Sequence, residues 1–327
     1  MTRLYFLLFT FHSLSRFTSR LAIPKMKYDD VLLIHMGGLG DMCLSESTFL
    51  SLSRHFEKNI SALGYSRFFT FFQGYFKTIH NIESAKWLYL FSDYPSENTW
   101  KRIAFIGKDR NGELRRRWQA ISEEELIFID MYPDSAFGAV NSEFGVKSSE
   151  TEQDQFKTQN LKLKTALHIE DYQLMQLDKH GIGPVKKDIQ PCSRNRVILY
   201  PEVGVTKSKW HHENFIALYH ALKKRSIEVY IFESFGMNLP ITDKVVIEDL
   251  TDVKAFFDAG GIFVSNDSGM AHFAGFCGLF TITIFNDFDP AIWHPRGENI
   301  SLRSGIDKVD LPELEKMIFQ RMDNGND

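Results

Sequence analysis

Cysteine is scarce: Cys43, Cys192 and Cys277 are the only three in 327 residues. They are far apart and odd in number, which excludes a disulfide framework and a paired structural-zinc spacing and fits a reduced, intracellular setting. The apolar run at residues 4–11 is too short to span a bilayer. A small-residue cleavage site after it is also lacking, because residues 13–20 are polar and basic, so a secretory signal is not expected. Residues 1–25 then read as a basic amphipathic segment on an anionic membrane surface, or as an extension upstream of a natural start at Met26. The second fits better, since Met26 stands just before the first core strand. Excess positive charge is missing too: the formal net charge is -4 and the pI is near 6.3. Nothing concentrates a nucleic-acid backbone around such a protein, so nucleic acid is not an expected partner.

What is present is apolar residue in quantity, 43% of the chain, enough to fill two α/β cores. The run at residues 31–35 followed by glycines and a helix-compatible stretch at 42–56 reads as strand, loop, helix. Runs at 87–91, 103–106 and 126–131 are candidate strands, while the aromatic-rich 68–76 reads as helix. Residues 140–160 are polar, as a solvated loop or flap would be, and a helix at 164–179 follows. Gly181, Gly183, Pro184 and Pro191 break periodicity as a linker does. Beyond them strands at 197–200, 229–232, 262–265 and 281–285 alternate with helices at 213–224, 252–259 and 270–277, which predicts a parallel, doubly wound sheet. The expected division is 1–25 extension, 26–183 first Rossmann-like domain, 184–327 second. Ligands of such sheets bind at the carboxyl ends of strands, here loops 36–41, 201–210, 233–238, 266–269 and 286–295.

Four clusters in these loops could carry chemistry. Gly37, Gly38, Gly40 and Asp41 let backbone approach a ligand and put a carboxylate at a helix start; Asp41 could equally be a helix cap. A third dinucleotide-type glycine is absent, Cys43 standing there, which disfavours a nicotinamide site. Asn266, Asp267, Ser268, Gly269 and His272 lead from a strand into a helix whose free amides favour a diphosphate, with Ser268 or Asp267 capping. A buried, satisfied His272 is the alternative. A side chain on Gly269 is expected to intrude on that diphosphate. Thr206, Lys207 and Lys209 could neutralise a leaving phosphate, or be solvated surface residues. Asp287 and Asp289 superficially match a metal-holding aspartate pair, but aspartates before Pro290 are more often turn formers.

In order and surroundings these clusters resemble glycosyltransferase family 9, the ADP-heptose:lipopolysaccharide heptosyltransferases, over residues 28–295. The resemblance is strongest at 31–41, 197–215 and 259–295; residues 66–180 carry little of it. It implies a GT-B fold, two Rossmann-like domains facing a cleft, with the acceptor on the first, at Gly38 and Gly40, and the nucleotide sugar on the second. Asp41 matches the family's general base. Lys207 and Lys209 flank its phosphate-binding lysine, beside Thr206; Asp267, Ser268, Gly269 and His272 match its diphosphate loop. Glu233 falls near its acidic ribose or base contact. Transfer would be inverting and metal-independent, from a nucleotide-diphosphate sugar such as ADP-heptose to a surface-glycan or glycolipid acceptor, by a cytoplasmic protein at the inner membrane's inner face. The chain departs from the family at Glu46 and Ser47, where proline is usual, at His35 and Met36, where a basic residue is common, and at Asn286, where glycine-proline is common. Rival readings are a metal-dependent transferase using Asp287 and Asp289, and a non-catalytic sugar-nucleotide-binding protein.

Overall fold

Val31, Leu32, Leu33, Ile34 and His35 are all buried, because the strand they form lies inside a parallel sheet covered on both faces. The computed structural model describes residues 27–92, 98–133, 167–202, 210–234, 238–303 and 309–324. Strands β1 (Lys27–His35), β2 (Ile60–Gly64), β3 (Thr78–Asn81), β4 (Thr99–Gly107) and β5 (Ile127–Asp130) form a first sheet, ordered β3-β2-β1-β4-β5 and parallel throughout. Strands β6 (Arg196–Tyr200), β7 (Glu228–Ser234), β8 (Lys244–Ile247), β9 (Ile262–Asn266), β10 (Phe280–Phe285) and β11 (Asn299–Arg303) form a second, ordered β11-β10-β9-β6-β7-β8, again parallel. Each sheet starts at its centre, winds to one edge, then returns to wind the other way, which is the Rossmann-like order. Winding reverses between β1 and β4 in the first sheet and between β6 and β9 in the second.

The alternation expected for the second sheet is present, with β8 and β11 added at its edges. In the first, the strand expected at 87–91 is instead a 3-10 helix, Ala85–Leu90. Trp87 and Leu90 are buried while Leu88 is 63% exposed, a period of three that a 3-10 turn satisfies and a strand does not. The aromatic stretch is helical, as α3 (Ser66–Phe69) and a 3-10 helix, Thr70–Tyr75. The helix expected at 164–179 is observed as α5 (Ile169–Leu177), after α4 (Glu113–Gln119); residues 134–166, which include the whole polar stretch 140–160, and the N-terminal 1–26 lie outside the described residues. Residues 181–195 form no helix or strand and lead into β6.

Helices α1 (Leu39–Leu44) and α2 (Glu46–His55) follow β1, and α8 (Gly269–Phe276) follows β9, after α6 (His212–Lys224) and α7 (Leu250–Asp258). α8 is buried almost all round, since its outer face meets the first domain rather than water. Phe71 packs on Phe273 with ring centroids 4.8 Å apart, and Phe72 on Phe276 at 5.1 Å. The aromatic run therefore serves the seam between the sheets, and one hydrophobic cluster is continuous across it.

A polar cluster lies in the same seam. Arg296, between α9 (Pro290–Trp293) and β11, donates to Glu46 Oε2 at 2.6 Å, to the Cys43 carbonyl at 3.3 Å and to the Lys187 carbonyl at 2.7 Å. Its Nε stands 2.6 Å from Glu170 Oε1, close enough to pair the charges though not aligned as a hydrogen bond. Ser47 Oγ donates to Glu170 Oε1 at 2.5 Å and accepts from Lys187 N–H at 2.9 Å. Ser51 and Val185 bond each other similarly. One buried face of α2 is thus polar and holds the connecting segment and α5, while Phe49 and Leu52 join the apolar core. Glu46 and Ser47, which stand where the resemblance leads one to expect proline, are the residues that make these bonds. The last helix, α10 (Leu311–Asn324), packs on α6.

Candidate functional site

The turn after β1 and the turn after β9 lie at the reversal points of their sheets, where strands to either side lead away and leave a crevice. The structure brings the two turns together. Gly38, Leu39, Gly40, Asp41, Leu44 and Tyr132 form one wall of a cleft of about 430 Å³. Asp267, Ser268, Gly269, His272, Phe288 and Trp293 form the other.

Asp41 sits in the first turn of α1, where its Oδ2 accepts from Gly38 N–H at 2.9 Å. It caps the turn and at the same time belongs to the cleft wall. Tyr132, at the carboxyl end of β5, faces it: burial raises the phenol pKa to about 12, with the Asp41 and Asp130 carboxylates adding to the rise. The Tyr132 and Trp293 ring centroids stand 5.8 Å apart, so aromatic faces border the carboxylate.

On the opposite wall Ser268 is the N-cap of α8, its Oγ accepting from Ala271 N–H at 3.3 Å. Asp267 Oδ1 lies 3.8 Å from His272 Nε2, and both side chains are largely buried. Among the described residues His272 Nδ1 has no hydrogen-bond partner. Gly269 lines the cleft, and a Cβ there would stand 3.3 Å from Gly40 N, so the glycine also permits close approach of α1 and α8.

Asn266 is a scaffold residue. Its Oδ1 accepts from Trp210 N–H at 2.8 Å, and its Nδ2 donates to the carbonyls of Pro201 at 3.1 Å and Trp210 at 3.2 Å. One buried amide thereby ties both ends of the 201–210 loop to the end of β9, next to Asp267. Thr206, Lys207 and Lys209 themselves lie outside the described residues. Glu233, at the end of β7, is not part of the cleft wall; its carboxylate accepts from Leu239 N–H at 2.5 Å and Lys244 Nζ at 2.9 Å, which hold its pKa low. Asp289 caps α9 through Ala291 N–H at 3.1 Å. No three His, Cys, Asp or Glu side chains are grouped to hold a metal among the described residues.

Sequence reasoning missed Tyr132 and Leu44, and reached Phe288 and Trp293 only as unnamed members of the 286–295 loop. Tyr132 had a usable signal, since it directly follows an apolar strand at the carboxyl end where ligands gather.

No protein-family model and no curated protein sequence matches the chain. Solved structures do. The E. coli heptosyltransferase WaaC with ADP superposes with a TM-score of 0.60 at 11% identity, covering 90% of this chain and 99% of that one. A glycosyl transferase family 9 structure from Veillonella parvula gives 0.59 at 11%, covering 91% and 99%. The E. coli ADP-heptose lipopolysaccharide heptosyltransferase II gives 0.55 at 13%, covering 90% and 99%. At such identities the likeness defines the fold: the chain is a GT-B-type α/β protein, two Rossmann-like domains facing a cleft.

Proposed function

We propose that this chain is a glycosyltransferase, moving a sugar from a nucleoside-diphosphate donor to a hydroxyl of a surface glycan or glycolipid, with inversion and without a metal ion. The observation that supports it is the meeting of Asp41 with the Asp267 to His272 turn in one cleft at the reversal points of both sheets. Asp41 takes the proton of the acceptor hydroxyl as that oxygen bonds to the anomeric carbon. The bond from that carbon to the diphosphate breaks, and its electron pair leaves with the phosphate. The first amides of α8 and the lysines of the 201–210 loop stabilise that charge. Asp289, which caps a helix, gives the metal-dependent rival no support.

ADP-heptose is the first donor to test, because the similar structures are heptosyltransferases. A glycolipid acceptor would place the work at the cytoplasmic face of the inner membrane, by peripheral association. No helix among the described residues is long and apolar enough to cross a membrane.

The test screens ADP-, UDP- and GDP-sugars for thermal stabilisation, since a ligand bound only by the native state raises its apparent stability. Transfer to glycan acceptors is then measured with and without chelator. Stabilisation by one class, with chelator-insensitive transfer, is the expected result. Binding with no transfer to any acceptor would reduce the protein to a sugar-nucleotide binder. Loss of transfer with chelator would move the chemistry to a metal.

A further inference from the structure

The glycine turn that carries Asp41 is closed from within by two side chains that do not line the cleft. Gly37 N–H donates to His35 Nδ1 at 3.1 Å, so the lone pair is on that nitrogen and the ring proton on Nε2. Nε2 lies 3.2 Å from Ser45 Oγ. Ser45 gives its own proton to the Asp41 carbonyl at 2.8 Å, which leaves its oxygen to accept from His35. Every bond therefore has one direction: Gly37 to His35, His35 to Ser45, Ser45 to the Asp41 main chain. On the cleft side Asp41 Oδ2 accepts from Gly38 N–H, which closes the ring of contacts.

No space is left in this arrangement. His35 and Ser45 are fully buried, and Phe49 stands edge-on to the imidazole at 5.7 Å. A Cβ on Gly37 would come within 2.6 Å of both His35 Cε1 and Asp41 Cβ. A buried histidine that only filled the core could bond any neighbour. Here both ring nitrogens connect to one turn, Nδ1 at its start and Nε2, through Ser45, at its end.

We propose that His35 and Ser45 are positioning residues for Asp41, a directed hydrogen-bond chain that fixes the backbone from which the carboxylate projects into the cleft. This rests on the reading of Asp41 as the general base. Burial brings the His35 pKa down to about 3, so the ring stays neutral and the chain intact at ordinary pH.

The test has a spectroscopic arm and a kinetic arm. In the wild-type protein, nitrogen NMR of His35 should show Nδ1 unprotonated and Nε2 protonated, unchanged from about pH 8 to about pH 5.5. Ser45→Ala should lower kcat by about ten- to a hundredfold with donor KM unchanged, the scale expected for a small misplacement of a catalytic group. His35→Gln, which still offers an N–H toward Ser45, should keep more turnover than His35→Leu. A His35 that titrates in that range, or carries its proton on Nδ1, would overturn the inference. So would Ser45→Ala and His35→Leu enzymes that lose thermal stability while keeping wild-type kcat per folded molecule. Asp41→Asn tells the two levels apart. If it keeps wild-type turnover, the base reading falls and this inference with it; if it is inactive while Ser45→Ala is unimpaired, only this inference falls.

Discussion

Gly40 and Gly269 face each other across the seam. A Cβ on Gly269 would stand 3.3 Å from Gly40 N, and one on Gly40 would stand 2.8 Å from His272 Cδ2 and 3.2 Å from Gly269 Cα. Neither has positive φ, so the demand is for space rather than for a special backbone conformation. Gly269→Val should therefore destabilise the protein by about 1–3 kcal/mol through overpacking, and weaken nucleotide binding by moving α1 away from α8. Urea unfolding with and without nucleoside diphosphate reads both effects. Wild-type stability in this variant would mean that the seam is looser than these distances imply.

Asp41→Asn should lower turnover by roughly two to four decades with donor affinity within a few-fold, as loss of a general base does. Asparagine can still accept from Gly38 N–H, so the turn should survive. Calorimetry of donor binding separates the outcomes: an equal loss of affinity would mark Asp41 as a structural cap.

Asn266→Ala should leave the Trp210 N–H and two carbonyls without their buried partner, at a cost of about 1–3 kcal/mol. With both ends of the 201–210 loop released, nucleoside diphosphate should bind more weakly than in an equally destabilised core variant such as Ile282→Val. Equal binding in the two would show that the ends of the loop are held by other contacts.

Acid should destabilise the fold earlier than its carboxylates alone dictate. Burial lowers the pKa of both His35 and His168 to about 3, with the neighbouring His294 adding at His168. The unfolded chain therefore binds more protons than the folded one between about pH 6.5 and about pH 3. Stability should fall as pH drops through that window, by up to about 1.4 kcal/mol per pH unit for each histidine. Replacing both by glutamine should flatten melting temperature against pH between about pH 6.5 and about pH 5. An unchanged slope would mean that these rings are accessible to protons when folded.

Legibility followed the range over which each signal acts. Strand, turn and helix around Gly37 to Asp41 and around Asp267 to His272 were readable because apolar runs end sharply in glycine and polar residues. β2 was not, since Ser61 and Gly64 interrupt its short apolar run; it is buried because it lies between β1 and β3, with Ser61 Oγ paired to Thr78 Oγ1 at 2.8 Å and Asp30 Oδ2 at 3.0 Å. Trp87 to Phe91 misled because apolar content without its period does not distinguish a strand from a 3-10 turn. The polar seam was the hardest part: Ser47, Thr48 and Ser51 look like a solvent face of α2. Only the fold brings Glu170, Gln173 and Val185 against them.

Arg296 also bears on the order in which a ribosome can finish this protein. Glu46 waits 250 residues for its guanidinium. All strands of the first sheet have been made by Asp130 and α5 by Leu177, yet at that point Glu46 and Glu170 are both still without the cation of Arg296. Removing one member of such a buried group costs about 3–5 kcal/mol, a large share of a domain's stability. The first domain should therefore stay incompletely packed during synthesis and close only once the chain beyond α9 has emerged. A fragment ending before β6 should lack a cooperative unfolding transition, and Arg296→Met should impair the full chain in the same direction. The two halves look like separate folds in their sheets, but as folding units they are completed together.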